Sequence, residues 1–281
     1  MRFSLIVATI GRVSQLERLF VSLAEQEFTD FKVVLVDQNA DARLVPLVAR
    51  FMGKMEIEHL RVPSRGVSAA RNAGLPLMGA AEFVAFPDDD CFYDRHTLAR
   101  AVRVFEAESS AGVVMGSLHL PHEADHLTES GSDAVHRRIR ANRMTILRTG
   151  GTVVQFFRRS VVDGVGGFDE AIGPGAGTPW LSGEDSDFLV RAFDLGALVV
   201  RCTGVRIYHP PVDATFPGYE AKAFGYGRGR VRLLRKNRYP SWFVLANVLH
   251  PLVALLYSGP ATRGFRWHLF RGRFHEWYGR P

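Results

Sequence analysis

The stretch that decides the fold is "EFVAFPDDDCFY", residues 82 to 93. Phe83 to Pro87 form a short apolar run that ends on three consecutive carboxylates, Asp88, Asp89 and Asp90. Like charges this close repel one another, and no basic residue follows before Arg95. A buried strand ending on such a cluster implies something positive at its carboxyl end. Side chains two apart on an extended chain point the same way, so Asp88 and Asp90 share a face and Asp89 turns elsewhere. Two hard carboxylate oxygens suit Mg²⁺ or Mn²⁺, which keep coordination positions open for substrate phosphates. The alternative is a solvated Asx turn ahead of a helix capped by Asp94.

Upstream, strands alternate with helices. "FSLIVAT" (3–9) reads as a buried strand, and "SQLERLFVSLAEQ" (14–26) carries Leu16, Leu19, Phe20 and Leu23 at helical spacing. "FKVVLVDQN" is a second strand ending at Asp37, followed by a short helix near 43–52, then "IEHLRV", then the small-residue helix start "SRGVSAARNAGL". "FVAFP" is the fourth strand. This alternation predicts parallel βαβ units with helices on both faces. Open parallel sheets bind ligands outside the carboxyl ends of their strands, where Thr9, Asp37 and residues 88–90 all fall. Downstream come "GVVMGSL" (112–118), a polar stretch to about residue 150, and "TVVQFF" (152–157). A Gly/Pro-rich loop then leads to a helix from about Glu184 to Leu195, with Gly196 at the C-cap.

With 47% hydrophobic and 23% charged residues in 281, the chain has material for a globular core. Two cysteines, Cys91 and Cys202, are too few for a disulfide framework and point to a reducing compartment. The opening "MRFSLIVATIGR" reads as a strand and not as a signal peptide, because its apolar run is short and no small-residue cleavage site follows. Charge is unevenly divided. From Lys222 onward there are twelve Lys/Arg and one Glu, a local +11 against +6 for the whole chain, which leaves −5 for the rest. Such a tail calls for an anionic partner. Its apolar segment, 242–257, contains Asn247, His250 and Pro251 and is shorter than the ~20 residues of a spanning helix. With flanking arginines and Trp242, Tyr257, Trp267, Trp277 and Tyr278, it reads as an element lying on an anionic membrane surface. Packing on the body, or between the subunits of a homodimer, is the other reading. No nucleic-acid-binding module is recognisable, which argues against that partner.

Four stretches, "VDQNADAR", "RGVSAARNAGL", "DDDC" and "GGFDE…GEDSDFLVRAFDLG", resemble glycosyltransferase family 2 in order and spacing, over about residues 3 to 210. The resemblance implies an α/β chain with the GT-A fold, a Rossmann-like, mostly parallel sheet flanked by helices. A basic, apolar helical extension would follow it. Residues 1–218 would be the transferase domain, with a donor half of about 1–118 and an acceptor half of about 119–218, and 219–281 the extension. Thr9 and Arg12 match the first-strand turn, although the family's usual Pro is Ala8 here and its Tyr-Asn is Ile10-Gly11. Asp37 matches the aspartate that accepts hydrogen bonds from the nucleotide base. Arg65, Arg71 and Asn72 match the stretch facing the diphosphate, and Asp88 and Asp89 also fall on the nucleotide side. Asp88, Asp90 and His209 would hold the metal, His209 matching a histidine present in some relatives. Asp185 matches the general base, with Glu184 holding the acceptor or orienting the base. Acids at a helix N-terminus also favour its dipole without any catalytic role. Trp180 offers a flat face to an acceptor ring or packs in the core. Arg228 and Arg230 would meet an acceptor diphosphate or lipid headgroups.

The function so implied is inverting transfer of a hexosyl or deoxyhexosyl group from a UDP-, GDP- or dTDP-sugar to a hydroxyl of a saccharide or polyprenyl-diphosphate-linked acceptor. Mn²⁺ or Mg²⁺ would assist, at the inner face of the cell membrane, in surface polysaccharide synthesis. Two other readings stand beside it. A sugar-nucleotide pyrophosphorylase would open with a Gly-rich phosphate loop, which "VATIGRVSQL" matches poorly. A non-catalytic glycan- or lipid-binding adaptor would have no need of Asp88, Asp90 and Asp185 together.

Overall fold

The structure, a computed structural model, describes residues 1–63, 65–124, 136–139, 142–148, 150–211 and 218–279. Part of the polar stretch before residue 150 thus lies outside the described residues. Two compact units make up the chain. One gathers Met1–Ser64, Ala70–Gly167 and Phe188–Pro211, and the other Arg65–Ala69, Phe168–Asp187 and Val212–Pro281.

The first unit holds the sheet. Its strands are β1 (Phe3–Thr9), β2 (Phe31–Asp37), β3 (Glu56–Arg61), β4 (Phe83–Ala85), β5 (Phe92–Tyr93), β6 (Ala111–His119), β7 (His136–Arg138), β8 (Gln155–Arg158) and β9 (Leu198–Tyr208). They lie in the order β3-β2-β1-β4-β8-β6-β9-β5, with β7 also paired to β9. The first four are mutually parallel, as the βαβ alternation requires. β8 enters antiparallel between β4 and β6, β9 runs parallel to β6, and β5 and β7 run antiparallel to β9. β2 is buried along its whole length and β1 almost so, which explains why both read as continuous apolar runs.

Helices α1 (Ser14–Ala24), α2 (Val45–Phe51), α3 (Val67–Gly74), α4 (Thr97–Ala107) and α5 (Arg159–Val165) follow in chain order. α1 buries Leu16, Leu19, Phe20 and Leu23, the four residues whose spacing predicted it. α3 ends against the sheet: a Cβ on Gly74 would stand 2.6 Å from an Ile6 methyl. Asp94 does not cap the helix that follows: its Oδ1 accepts from the His96 amide at 3.0 Å, and His96 itself is the N-cap of α4, with no side-chain cap bond. "TVVQFF" is not strand throughout. Thr152–Val154 forms a 3-10 turn, and pairing begins only at Gln155, opposite Met115. α6 (Glu184–Asp194) ends as expected, with Gly196 in the left-handed region (φ 85°) and its amide on the Phe193 carbonyl.

The second unit is helical. It contains α7 (Tyr219–Lys236), α8 (Ser241–Leu255) and α9 (Pro260–Tyr278), together with the 168–187 segment. α7 carries Gly225, Gly227 and Gly229, each costing about 1 kcal/mol of helix propensity relative to alanine. Packing repays this. A Cβ on Gly227 would lie 2.3 Å from the Leu269 carbonyl, and one on Gly272 would lie 2.0 Å from the Phe224 carbonyl. The backbones of α7 and α9 therefore touch, while Gly225 and Gly229 admit Leu181 and Ser182 on other sides of α7. α8 buries Val244, Val248 and Pro251 but exposes Trp242, Leu245, Leu249, Val253 and Leu256 as one stripe at helical spacing. No helix among the described residues is long and apolar enough to cross a membrane.

Candidate active site

Strand register gathers the polar ends. Thr9 lies opposite Asp37, and Asp37 opposite Arg61. The β1–β4 ladder stops at Ala85, just before Phe86 and Pro87, the latter without an N–H to give. It resumes as a single bridge between Ala8 and Asp88. The carboxylate triplet is thereby pinned beside the end of β1.

The triplet is not extended: the Asp88 carbonyl accepts from the Cys91 amide at 3.2 Å, and Asp89 and Asp90 lie in the turn this closes, so Asp88 and Asp90 meet by a turn and not by strand alternation. Asp88 and Asp90 turn toward His209, and one ligand atom from each of the three lies within 4.8 Å of the others. His209 Nε2 stands 3.1 Å from Asp90 Oδ1 and 3.8 Å from Asp88 Oδ2. Its Nδ1 is 2.6 Å from the Pro210 carbonyl, a contact that orients the ring and turns Nε2 to the carboxylates. Two carboxylates and one imidazole so arranged fit Mn²⁺ or Mg²⁺. Asp89 turns away, accepting from Thr9 Oγ1 at 2.7 Å and from Arg12 Nη1 at 2.8 Å.

The positive partner implied by the triplet is supplied in part by the chain itself. Arg12 Nη1 also reaches Asp90 Oδ2 at 2.6 Å, and the buried Arg71 places Nη2 3.0 Å from Asp88 Oδ1. Burial pushes the Asp89 carboxyl above its ordinary value despite Arg12 and Thr9. At Asp90 burial also pushes upward, but His209 and Arg12 outweigh it and hold the carboxyl below the usual range. The bond to Asp90 raises His209 in turn. Cys91, buried beside the triplet, has its thiol pushed well up by burial and by Asp88 and Asp90, and it behaves as packing.

Asp37 is fully buried. Its Oδ1 accepts from the Asn39 amide at 2.8 Å and from Asn39 Nδ2 at 2.7 Å, and its Oδ2 lies 3.0 Å from His59 Nε2. Asn39 Oδ1 accepts in turn from the amide of Gly11, whose φ of 73° brings that N–H into reach. Arg61 Nη2 donates to the Asp41 carbonyl at 2.9 Å. His59 and Arg61 stand beside this group and lie outside the motifs. Their signal was their alternation on β3 beside the carboxyl end of β2.

In the second unit, Glu184 and Asp185 open α6 and are partly exposed. Asp187, one turn on, is fully buried and accepts from Lys236 Nζ at 2.8 Å and Asn237 Nδ2 at 2.9 Å. Lys236 also reaches Asp169 at 2.7 Å. Trp180 gives its indole N–H to Glu276 at 2.9 Å and carries the Arg232 guanidinium 4.4 Å from its ring centroid. Arg228 Nε meets the other Glu276 oxygen at 2.8 Å, whereas Arg230 Nε donates to Asn247 at 3.1 Å. Arg65 is exposed just before α3, and Asn72 is partly exposed on it. Thr9, Arg12, Arg71, Asp88, Asp89, Asp90 and His209 thus form one cluster, and Trp180 and Arg228 share Glu276 in another.

Comparison with known proteins bears on the family and the fold. The family model described as "Glycosyl transferase family 2" matches residues 4–166. The poly(ribitol-phosphate) beta-N-acetylglucosaminyltransferase TarS of Staphylococcus aureus is 32% identical over 114 residues, 39% of this chain and 20% of TarS. A PGL/p-HBAD biosynthesis glycosyltransferase of Mycobacterium bovis is 29% identical over 119 residues, 41% of this chain and 46% of that protein. In both cases the match spans less than half of the curated relative. Among solved structures, S. aureus TarS 1–349 in complex with UDP-GlcNAc is similar with a TM-score of 0.64 at 19% identity, covering 98% of this chain and 92% of that one. The mannosyltransferase PcManGT from Pyrobaculum calidifontis, in complex with GDP-Man and Mn²⁺, is similar with a TM-score of 0.70 at 18% identity, covering 99% and 87%. At those identities the likeness is one of fold.

Proposed function

Because the chain belongs to glycosyltransferase family 2, we propose that it moves a hexosyl or deoxyhexosyl group, with inversion, from a nucleotide-diphosphate sugar to a hydroxyl of a lipid-linked saccharide. The observation that carries this reading is the Asp88–Asp90–His209 group at the end of the β4 segment. These three residues would hold Mn²⁺ or Mg²⁺, which when bound neutralises charge building on the departing diphosphate. Asp37, Thr9, Arg12, Arg65, Arg71, Asn72, Asp88 and Asp89 bind and orient the donor's nucleotide and diphosphate. Asp37, with Asn39 and His59 fixing its carboxylate, faces the base edge. Asp185 takes the proton of the acceptor hydroxyl as that oxygen bonds to the anomeric carbon and the bond to the nucleoside diphosphate breaks. Glu184 orients the acceptor, Trp180 stacks on it, and Arg228 and Arg230 meet its charged end.

The proposed organisation is a donor half over about 1–118, an acceptor half over about 119–218 and an extension over 219–281. The extension is proposed to rest on the anionic inner face of the cell membrane, in surface polysaccharide synthesis. The compounds bound in the two similar structures, UDP-GlcNAc and GDP-Man, make UDP- and GDP-sugars the first donors to test. The test is hydrolysis of a panel of nucleotide sugars with Mn²⁺, with Mg²⁺ and in EDTA. Metal-dependent hydrolysis of one donor supports the reading. Full activity in saturating EDTA removes the metal role, and no hydrolysis of any donor favours an adaptor.

A further inference from the structure

Four of the nine described arginines from residue 219 onward meet an acid, a terminal carbonyl or a ring. Arg228 pairs with Glu276, and Arg235 donates to the carbonyls of Glu276 and Trp277 at the end of α9. Arg263 donates to the Ser258 carbonyl, and Arg232 lies over Trp180. Arg230 of α7 and Arg273 of α9 differ. Both converge on one neutral residue of α8: Arg230 Nε donates to Asn247 Oδ1, and Arg273 Nη1 to the Asn247 backbone carbonyl. Among the described residues neither forms an ion pair, and Arg273 Nε is buried without a hydrogen-bond partner. Neither side chain is completely covered, so an ion can reach both.

Two guanidinium groups that meet the same neutral residue while partly withdrawn from water repel one another. Arginine does not shed its proton in proteins, so the repulsion cannot be relieved by neutralisation. Burial lowers Arg230, and burial together with Arg230 lowers Arg273 to about 10. Each guanidinium presents a planar fork of donors. A carboxylate has two oxygens and satisfies one fork, whereas a tetrahedral phosphate has enough oxygens for two.

We propose that Arg230 and Arg273, held apart and oriented by Asn247, form a binding site for a phosphate group. The inference rests on the acceptor role proposed for Arg230 and adds Arg273 and Asn247 to it. The phosphate comes either from a lipid head, including a lipid-linked diphosphate, or from free phosphate in solution.

The test uses the full chain in EDTA, without donor, and reads binding alone. Inorganic pyrophosphate is titrated by thermal shift, and co-sedimentation is measured with phosphatidylcholine vesicles with and without phosphatidic acid. Arg273→Lys keeps the charge and removes the fork, so general attraction to an anionic surface is unchanged. Binding of the preferred probe should weaken about tenfold in Arg273→Lys and in Arg230→Lys, as expected for loss of a charge-assisted bond. Binding to phosphatidic acid vesicles but weakly to pyrophosphate assigns a lipid source, and comparable binding to both assigns a soluble one. If both lysine variants bind as the wild type does, or if Arg71→Gln alone abolishes binding, the site is not at Arg230 and Arg273. Should Arg273→Lys fail to fold, Arg230→Lys and Asn247→Ala supply the same comparison. A wild type that hydrolyses no donor sinks the transferase reading and leaves this binding result standing.

Discussion

The two units solve opposite problems. In the first, three adjacent carboxylates are held by cations from distant parts of the chain, Arg12, Arg71 and His209. In the second, helices are held by the lack of side chains, at Gly227 and Gly272, and by Lys236 and Asn237 gripping Asp187. Charge placed at a strand end can be changed without disturbing what packs beneath it. Contact between backbones cannot. Substitutions of the partly exposed carboxylates should therefore cost chemistry, and substitutions at the α7–α9 backbone contact should cost stability.

The largest expected effect separates two neighbouring carboxylates. Asp90→Asn should lower metal-dependent transfer on the order of a thousandfold with a smaller fall in melting temperature than Asp88→Asn. Asp88→Asn should lose both activity and stability, because buried Arg71 leans on it. Equal melting temperatures for the two variants would break this distinction. Next is Asp185→Asn, expected to reduce turnover by about 10²- to 10⁴-fold while calorimetry shows nucleotide binding intact. Loss of donor binding would move the residue to the donor side.

Gly272→Ala tests the second unit. Its Cβ has no room beside the Phe224 carbonyl, so overpacking should destabilise the protein by about 1–3 kcal/mol in denaturant titration, with donor binding retained. A neutral result would mean that α7 and α9 separate easily. Smaller still is the effect of Leu249→Asp with Val253→Asp on the exposed α8 stripe. Sedimentation with anionic vesicles should fall in this variant, whereas salt alone should release only part of the wild type, because screening leaves apolar contact untouched. Unchanged sedimentation would leave the stripe without a membrane role.

The smallest effect concerns acid. At Asp169 burial pushes the carboxyl upward, but Lys236 and the Ala171 amide outweigh it and set the folded value below the ordinary 3.8. A depressed carboxyl contributes stability that is present above the unfolded value and is lost as pH falls through the folded one. Melting of Asp169→Asn should therefore fall less steeply below about pH 4 than that of the wild type. Parallel curves would assign Lys236 wholly to Asp187.

Local pattern made the first unit largely legible. β1 and β2 announced themselves as apolar runs ending in Thr9 and Asp37, whereas Asp88 and Asp90 come together through a turn that strand alternation does not describe. What pattern did not carry was partnership across the chain. Arg12 reaches Asp89 over 77 residues and His59 reaches Asp37 over 22, and no local periodicity encodes either. "GYGRGR" was less legible as helix, because three glycines oppose it by propensity and only contact with α9 and residues 181–182 reverses the balance.

The grip of Lys236 and Asn237 on Asp187 also sets an order of events during synthesis. Asp187 leaves the ribosome about 50 residues ahead of the groups that neutralise it. At the usual elongation rate of about 5–20 residues per second, that is an interval of roughly 3–10 s. For that time the turn bearing Glu184 and Asp185 has its buried aspartate without these two partners. The nascent chain should thus acquire donor binding before it acquires an ordered acid pair, so a stalled ribosome carrying residues 1 to about 250, with Pro211 outside the exit tunnel and Lys236 still within it, would display the first without the second.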